Sequence, residues 1–202
     1  MATYKMRGFT LMEMMITMSV FMTVAGLFYI GAQPVIKEAR VGEGYNMTLG
    51  AMRQARDAAV AQRRAYFVTF TNNTAPNTVT ITQASTGNVM NTYSLPSDVF
   101  YQVLPQFPKS QVAFPMTPDA FGAGATPIDF DQGIVGGAKN VVYFQPDGSA
   151  QDVNGNLNNG VVYVARTGDY YSARALTVWG ATGRLRGWRM DQQGGTYYWR
   201  YQ

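Results

Sequence analysis

The chain contains neither histidine nor cysteine, so any chemistry it performs has to come from carboxylates, arginine, lysine, tyrosine or serine. Zinc sites of the usual ligand type, Ser-His-Asp triads, Cys-His pairs and disulfides are thereby excluded. Asp152-Val153-Asn154-Gly155-Asn156 has a spacing that could place oxygens around calcium. Leu157, however, stands where the loop needs its turn glycine, and Tyr163 where a bidentate acid would close it. A hairpin turn rich in Asn and Gly explains the run better. Asp129 and Asp131 would share one face of a strand, and a solvated edge accounts for them. No catalytic residue, metal ligand or cofactor is assigned, and the expectation is that the protein is not an enzyme. Two other groups of residues point to binding. Glu13 is a lone acid inside an apolar run; at mid-membrane depth such a group costs about 2.5 to 3.5 kcal/mol, less near the interface, and it demands a partner. At the other end, residues 166–202 hold six arginines against Asp169 and Asp191. Trp179, Trp188, Tyr197, Tyr198, Trp199 and Tyr201 are interleaved with them, a combination suited to phosphates and unstacked bases. It also suits an ordinary wet strand edge.

The elements that would position these groups follow from periodicity. A short polar leader carries Lys5 and Arg7, and no residue from Met14 to Ile36 is charged. Those residues, as a helix rising about 1.5 Å each, reach roughly 34 Å, enough for a hydrocarbon core of about 30 Å. The two cations on the short flank predict a cytoplasmic N terminus and a translocated C-terminal body. The formal charge is +4; without Lys5 and Arg7 the balance is 14 basic to 12 acidic residues, so net charge says little about partners. Pro34 should kink or locally break the helix. Gly42, Gly44 and Gly50 make residues 40–45 a loosening point. Beyond them Tyr45, Leu49, Met52, Ala55 and Ala59 form an apolar stripe that should dock on a sheet, with Arg53, Arg56, Asp57, Arg63 and Arg64 mostly on other faces. Short β-branched and aromatic runs then predict eight strands, at 65–70, 78–83, 89–95, 99–104, 126–130, 140–144, 160–166 and 174–179, suggesting two small antiparallel sheets. The proline-rich stretch 105–125 reads as a long surface loop.

The run Gly8-Phe9-Thr10-Leu11-Met12-Glu13 before the apolar helix resembles the class III signal of type IV pilins and type II secretion pseudopilins. Glu13 inside the apolar region argues against the two plainer readings, a secretory signal peptide cut near Ala25 or a simple anchor. The resemblance implies cleavage by a prepilin peptidase between Gly8 and Phe9, methylation of the new Phe9 amine, and pairing of Glu13 with the amine of a neighbouring subunit. Residues 51–60, Val141-Val142-Tyr143-Phe144-Gln145-Pro146-Asp147-Gly148-Ser149, Gly160-Val161-Val162-Tyr163-Val164, Arg174-Ala175-Leu176-Thr177-Val178 and Gly183-Arg184-Leu185-Arg186 are similar, in that order, to the GspH/FimT group of pseudopilins. In FimT-like minor pilins a Gly-Arg-x-Arg motif near the C terminus is implicated in DNA binding. By that resemblance Arg184 and Arg186, with Arg189 beside them, are candidate DNA contacts, although a solvated strand terminus accounts for the same residues.

The expected architecture is α+β, with a long N-terminal helix, membrane-spanning in its first half and amphipathic in its second, packed on an antiparallel β-body of two small sheets. The expected divisions are a leader at 1–8, a transmembrane and assembly helix at 9–36, an amphipathic helix at 37–65, and an extracytoplasmic β domain at 66–202. The resemblance implies a bacterial inner-membrane subunit that later enters a pilus or pseudopilus. Its expected partners are other pilins or pseudopilins, a prepilin peptidase, the inner-membrane assembly platform and DNA.

Overall fold

The computed structural model describes residues 9–132 and 140–202. The chain divides after Lys37 into an N-terminal unit and a body, Glu38–Gln202. One helix, α1, runs Leu11–Gln62. In the N-terminal unit every residue from Phe9 to Gly31 is exposed. Among the described residues it is the one helix long and apolar enough to cross a membrane, its most apolar window having a mean hydropathy of 1.8 with no residue buried. Pro34 lies inside α1 without ending it, contrary to a local break. A proline removes one hydrogen bond, and a cooperative helix anchored by packing further along carries that loss. The loosening expected at Arg40–Tyr45 is also not seen: Val41, Gly44 and Tyr45 are buried. A Cβ on Gly44 would lie 3.0 Å from Val99 Cγ1 and 3.4 Å from Leu95 Cγ, so this glycine admits a close neighbour and its helix penalty is offset by packing.

Among its described residues the body holds eleven strands: β1 Tyr66–Thr71, β2 Thr78–Gln83, β3 Val89–Ser94, β4 Phe100–Tyr101, β5 Ile128–Gln132, β6 Val141–Phe144, β7 Ala150–Gln151, β8 Asn159–Arg166, β9 Asp169–Trp179, β10 Arg184–Gln193 and β11 Thr196–Tyr201. One sheet has the order β3-β2-β1-β6-β7; the other runs β11-β10-β9-β8-β4, with β5 also on β8. All strand pairings are antiparallel. The eight expected strands are present, the one at 99–104 shortened to Phe100–Tyr101. The three not expected are β7, β10 and β11.

The apolar stripe of α1 closes a core between the two sheets. Tyr45, Met52, Ala55 and Ala59 are buried, and Leu49 is partly buried. They meet Val68, Phe70, Ile81, Val142 and Phe144 of the first sheet and Phe130, Val162, Val164, Leu176 and Val178 of the second. Phe70 stacks on Phe130 at 5.4 Å and meets Tyr101 edge-on at 5.6 Å. The second sheet buries its other face too. Leu104, Phe107 and Phe121 come down on Val161, Tyr163, Ala165, Ala173, Ala175, Met190 and Trp199. The stretch 105–125 is therefore not merely a surface loop: its aromatic residues complete a second core, burial that proline content alone could not signal.

Candidate functional site

Two groups of residues can be built from their elements upward. The first is at the start of α1. Thr10 is its N-cap and Glu13 its third residue, and they form a capping box. The Thr10 amide donates to Glu13 Oε2 at 2.9 Å, the Thr10 hydroxyl donates to the same oxygen at 3.0 Å, and the Glu13 amide donates back to Thr10 Oγ1 at 3.3 Å. Such a box satisfies helix N–H groups that would otherwise lack partners, and it places an anion at the positive end of the helix dipole. The acid thus finds donors within its own chain, a role the Thr-x-x-Glu spacing announces and the reading of Glu13 as an intermolecular partner overlooked. Phe9 is 80% exposed, while Gly8 lies outside the described residues.

The second group surrounds β10. Alternation along β10 puts Arg186, Trp188 and Met190 on one face and Leu185, Gly187, Arg189 and Asp191 on the other, while Arg184, at the turn where the strand begins, lines a cleft beside α1. Leu185 packs against the main core. The three candidate contacts are therefore not one patch. Arg189 is on the α1 side, where Arg189 Nη2 lies 2.8 Å and Arg174 Nη2 3.3 Å from Glu38 Oε1. Arg174 is buried; its surroundings and the Arg189 cation hold its guanidinium below its ordinary pKa, with Glu38 opposing. Arg186 is on the loop side. Its Nη1 lies 2.7 Å from Oδ1 of Asp119, a carboxylate only 5% exposed that also accepts hydrogen bonds from Thr177 Oγ1 and Trp179 Nε1. The Arg186 guanidinium sits 5.2 Å from the Trp179 ring and 6.0 Å from that of Tyr201. Two of the tail aromatics are thus occupied by a cation of the same chain.

Gly183, first residue of the Gly-Arg-x-Arg motif, has φ of 59°, and a Cβ there would lie 2.1 Å from the Gly148 carbonyl oxygen. That close approach brings the β9–β10 turn against the β6–β7 turn, so the glycine is fixed by backbone geometry.

The described arginines separate into two sets. Arg40, Arg166, Arg174, Arg186, Arg189 and Arg200 have carboxylate partners within 4 Å. Among the described residues Arg53, Arg56, Arg63, Arg64 and Arg184 have none. Arg53, Arg56 and Arg184 line one cleft of about 450 Å³, together with Asp57, Thr182, Gly183 and Leu185. Arg56 is held by neutral acceptors, its Nη2 donating to the Thr182 carbonyl at 3.2 Å and its Nε to that of Gly148 at 3.4 Å, so its charge is uncompensated there. Sequence distance hid this convergence; the signal available was the i, i+3 spacing of Arg53 and Arg56 on one helix face.

The acidic residues take other roles. Asp152 Oδ1 accepts the amides of Asn154 and Asn156 at 2.9 and 2.8 Å, and Oδ2 accepts Asn156 Nδ2 at 3.1 Å, the closed turn expected of this Asn-rich run. Burial works against its ionisation, but the donors of Asn156 and Asn154 outweigh it and hold the carboxyl below its ordinary value. The stability it contributes is therefore present above the unfolded pKa near 4 and lost as pH falls through the lower folded value. Asp152→Asn is expected to flatten the dependence of the urea midpoint on pH between 5 and 3; an unchanged dependence would show that the turn does not store that energy. Asp129 is buried rather than on a solvated edge, because 105–125 covers its strand: a Cβ on Gly122 would lie 3.4 Å from Asp129 Oδ2. The side chain of Asp131 lies outside the described residues. Among the described residues no three acids gather as a metal site.

No curated protein matches the chain. A crystal structure of the type IV minor pilin FimU from Pseudomonas aeruginosa is similar at a TM-score of 0.41 and 14% identity, over 76% of this chain and 89% of that one. Residues 4–29 match the prokaryotic N-terminal methylation motif. This chain thus carries, at its N terminus, the class III signal of the type IV pilin-like proteins.

Proposed function

We propose that the protein is a minor pilin or pseudopilin, a structural subunit of a type IV pilus or type II secretion pseudopilus. The observation that carries this reading is a prepilin signal at 4–29 opening a helix that runs unbroken from Leu11 to Gln62 into a body with its own core. On this reading 1–8 is a leader. A prepilin peptidase hydrolyses the bond between Gly8 and Phe9 with one water, and the freed Phe9 amine accepts a methyl group. Residues 9–36 lie in the inner membrane, 37–65 carry the helix into the body, and 66–202 form an extracytoplasmic domain. The assembly platform draws the subunit into a filament whose other pilins pack on Phe9–Ile36.

Glu13 supports a sharp test, because glutamine also completes a capping box but carries no charge. Glu13→Gln is expected to insert in the membrane and undergo cleavage, yet no longer co-purify with other pilins. Undiminished co-purification would reduce the carboxylate to a helix cap, and wild-type protein recovered without pilin partners would remove the reading altogether.

A second reading, a minor pilin that binds DNA in uptake, is favoured by one observation: arginines that have no acid partner among the described residues converge on the turn that holds Gly183 and Arg184. Of the candidates Arg184, Arg186 and Arg189, only Arg184 is without such a partner among the described residues.

A further inference from the structure

We infer that the cleft between α1 and the β9–β10 turn, walled by Arg53, Arg56 and Arg184, is where the body holds a nucleic-acid backbone. This inference rests on the DNA-binding reading but moves its site away from Arg186 and Arg189. Those two residues already face Asp119 and Glu38 at 2.7 and 2.8 Å. A polyanion binding there would have to displace an acid the fold supplies, whereas the cleft arginines offer their charge without that exchange. Asp57 is the acid on the cleft wall; it is exposed and forms no ion pair among the described residues, leaving three arginines to one acid.

Shape and spacing favour phosphodiesters over an acidic protein. The cleft is open to solvent, as a continuous strand requires. Arg53 and Arg56 stand one helical turn apart, about 4.5 Å at 1.5 Å per residue. One strand of duplex DNA presents a phosphate every 3.4 Å of axis, so that spacing suits successive phosphates. The guanidinium fork matches a phosphate with two parallel hydrogen bonds. The Arg56 fork is already oriented by the carbonyls of Thr182 and Gly148, which hold it without neutralising it. Gly183 has no side chain to obstruct the cleft floor.

The test uses the full-length chain in neutral detergent and a labelled duplex of arbitrary sequence, with anisotropy read across 50 to 200 mM salt. Three phosphate contacts contribute a slope of about −2.7 in log affinity against log salt, or about a 40-fold weakening over that range. Arg53→Gln/Arg56→Gln/Arg184→Gln is expected to remove that part of the slope. Because Arg56 supports the turn, Arg53→Gln/Arg184→Gln is compared as well, both side chains being exposed; it should remove about two thirds of that part. Arg189→Gln/Arg200→Gln, equal in charge removed, should leave the slope nearly unchanged. If this tail variant loses binding and the cleft variants do not, the cleft is overturned while the DNA-binding reading stands. If the wild-type chain shows no affinity at 50 mM salt, both are overturned and the pilin reading is untouched. Complete displacement of the duplex by polyglutamate at equal charge overturns the nucleic-acid assignment in favour of an acidic protein surface.

Discussion

Gly8→Val is expected to leave the protein uncleaved in the membrane, with no methylated Phe9 detectable by mass spectrometry of its N terminus. A peptidase that cuts between Gly8 and Phe9 has to bring catalytic groups to a backbone carbonyl within bonding distance, and a β-branched side chain on the residue that supplies that carbonyl obstructs the approach. The effect extends past the cut itself. While the leader remains, the Phe9 nitrogen is an amide, and among the described residues Glu13 accepts from Thr10 alone. Cleavage would create an ammonium on the residue directly ahead of the capping box, next to the partial positive charge of the helix end. Gly8→Val should therefore abolish co-purification with other pilins as completely as it abolishes processing. A Gly8→Val chain that still yields methylated Phe9 would overturn the assignment of the cleavage site.

Asp119→Ala should cost about 3 kcal/mol of stability, the low end for breaking a buried ion pair because Arg186 is 30% exposed and can recruit water. At 2 to 4 °C per kcal/mol for a body of this size, that is a fall in Tm of about 6 to 12 °C. Three donors lose their acceptor together: the Arg186 guanidinium, the Thr177 hydroxyl and the Trp179 indole. Arg186→Gln should destabilise through the same contact, whereas Arg184→Gln, exposed and without an acid partner among the described residues, should stay within about 0.5 kcal/mol of wild type. Equal stability of the Arg184 and Arg186 variants, measured by urea denaturation, would show that the second arginine of the motif is not held by the fold.

How much of this was legible in sequence depends on how local the signal is. The helix stripe from Tyr45 to Ala59 and the run Val161-Val162-Tyr163-Val164 announce themselves, because burial on one face or on both leaves a periodic or continuous apolar pattern. The strands β10 and β11 escaped because Arg184, Arg186, Arg189 and Arg200 interrupt that pattern; the charges of the last three are accommodated by Asp119, Glu38 and Asp191, acids from 9 to 151 positions away in the chain. Pairing over such separations is a property of the fold, and composition averages it away. The same reason hid the cleft arginines. Counting charges draws attention to the tail, where most arginines face an acid, while Arg53 and Arg56 belong to a segment that read as an amphipathic helix. The Thr10–Glu13 box was legible and passed over, since an acid in an apolar run draws attention to a distant partner before a neighbouring one.

The ion pairs at Glu38 acquire a mechanical meaning if the chain is hauled by its N-terminal helix. Arg174 and Arg189 sit opposite each other on β9 and β10, and both reach the same carboxylate near the start of the α1 segment that belongs to the body. Two residues on, Arg40 meets Asp98, which also receives Arg166 at the end of β8. Tension along the helix axis is thus delivered to three adjacent strands of one sheet before it reaches the apolar stripe that begins at Tyr45. Loaded this way, the chain's load threshold should fall as added salt screens the half-exposed carboxylate at the first clamp.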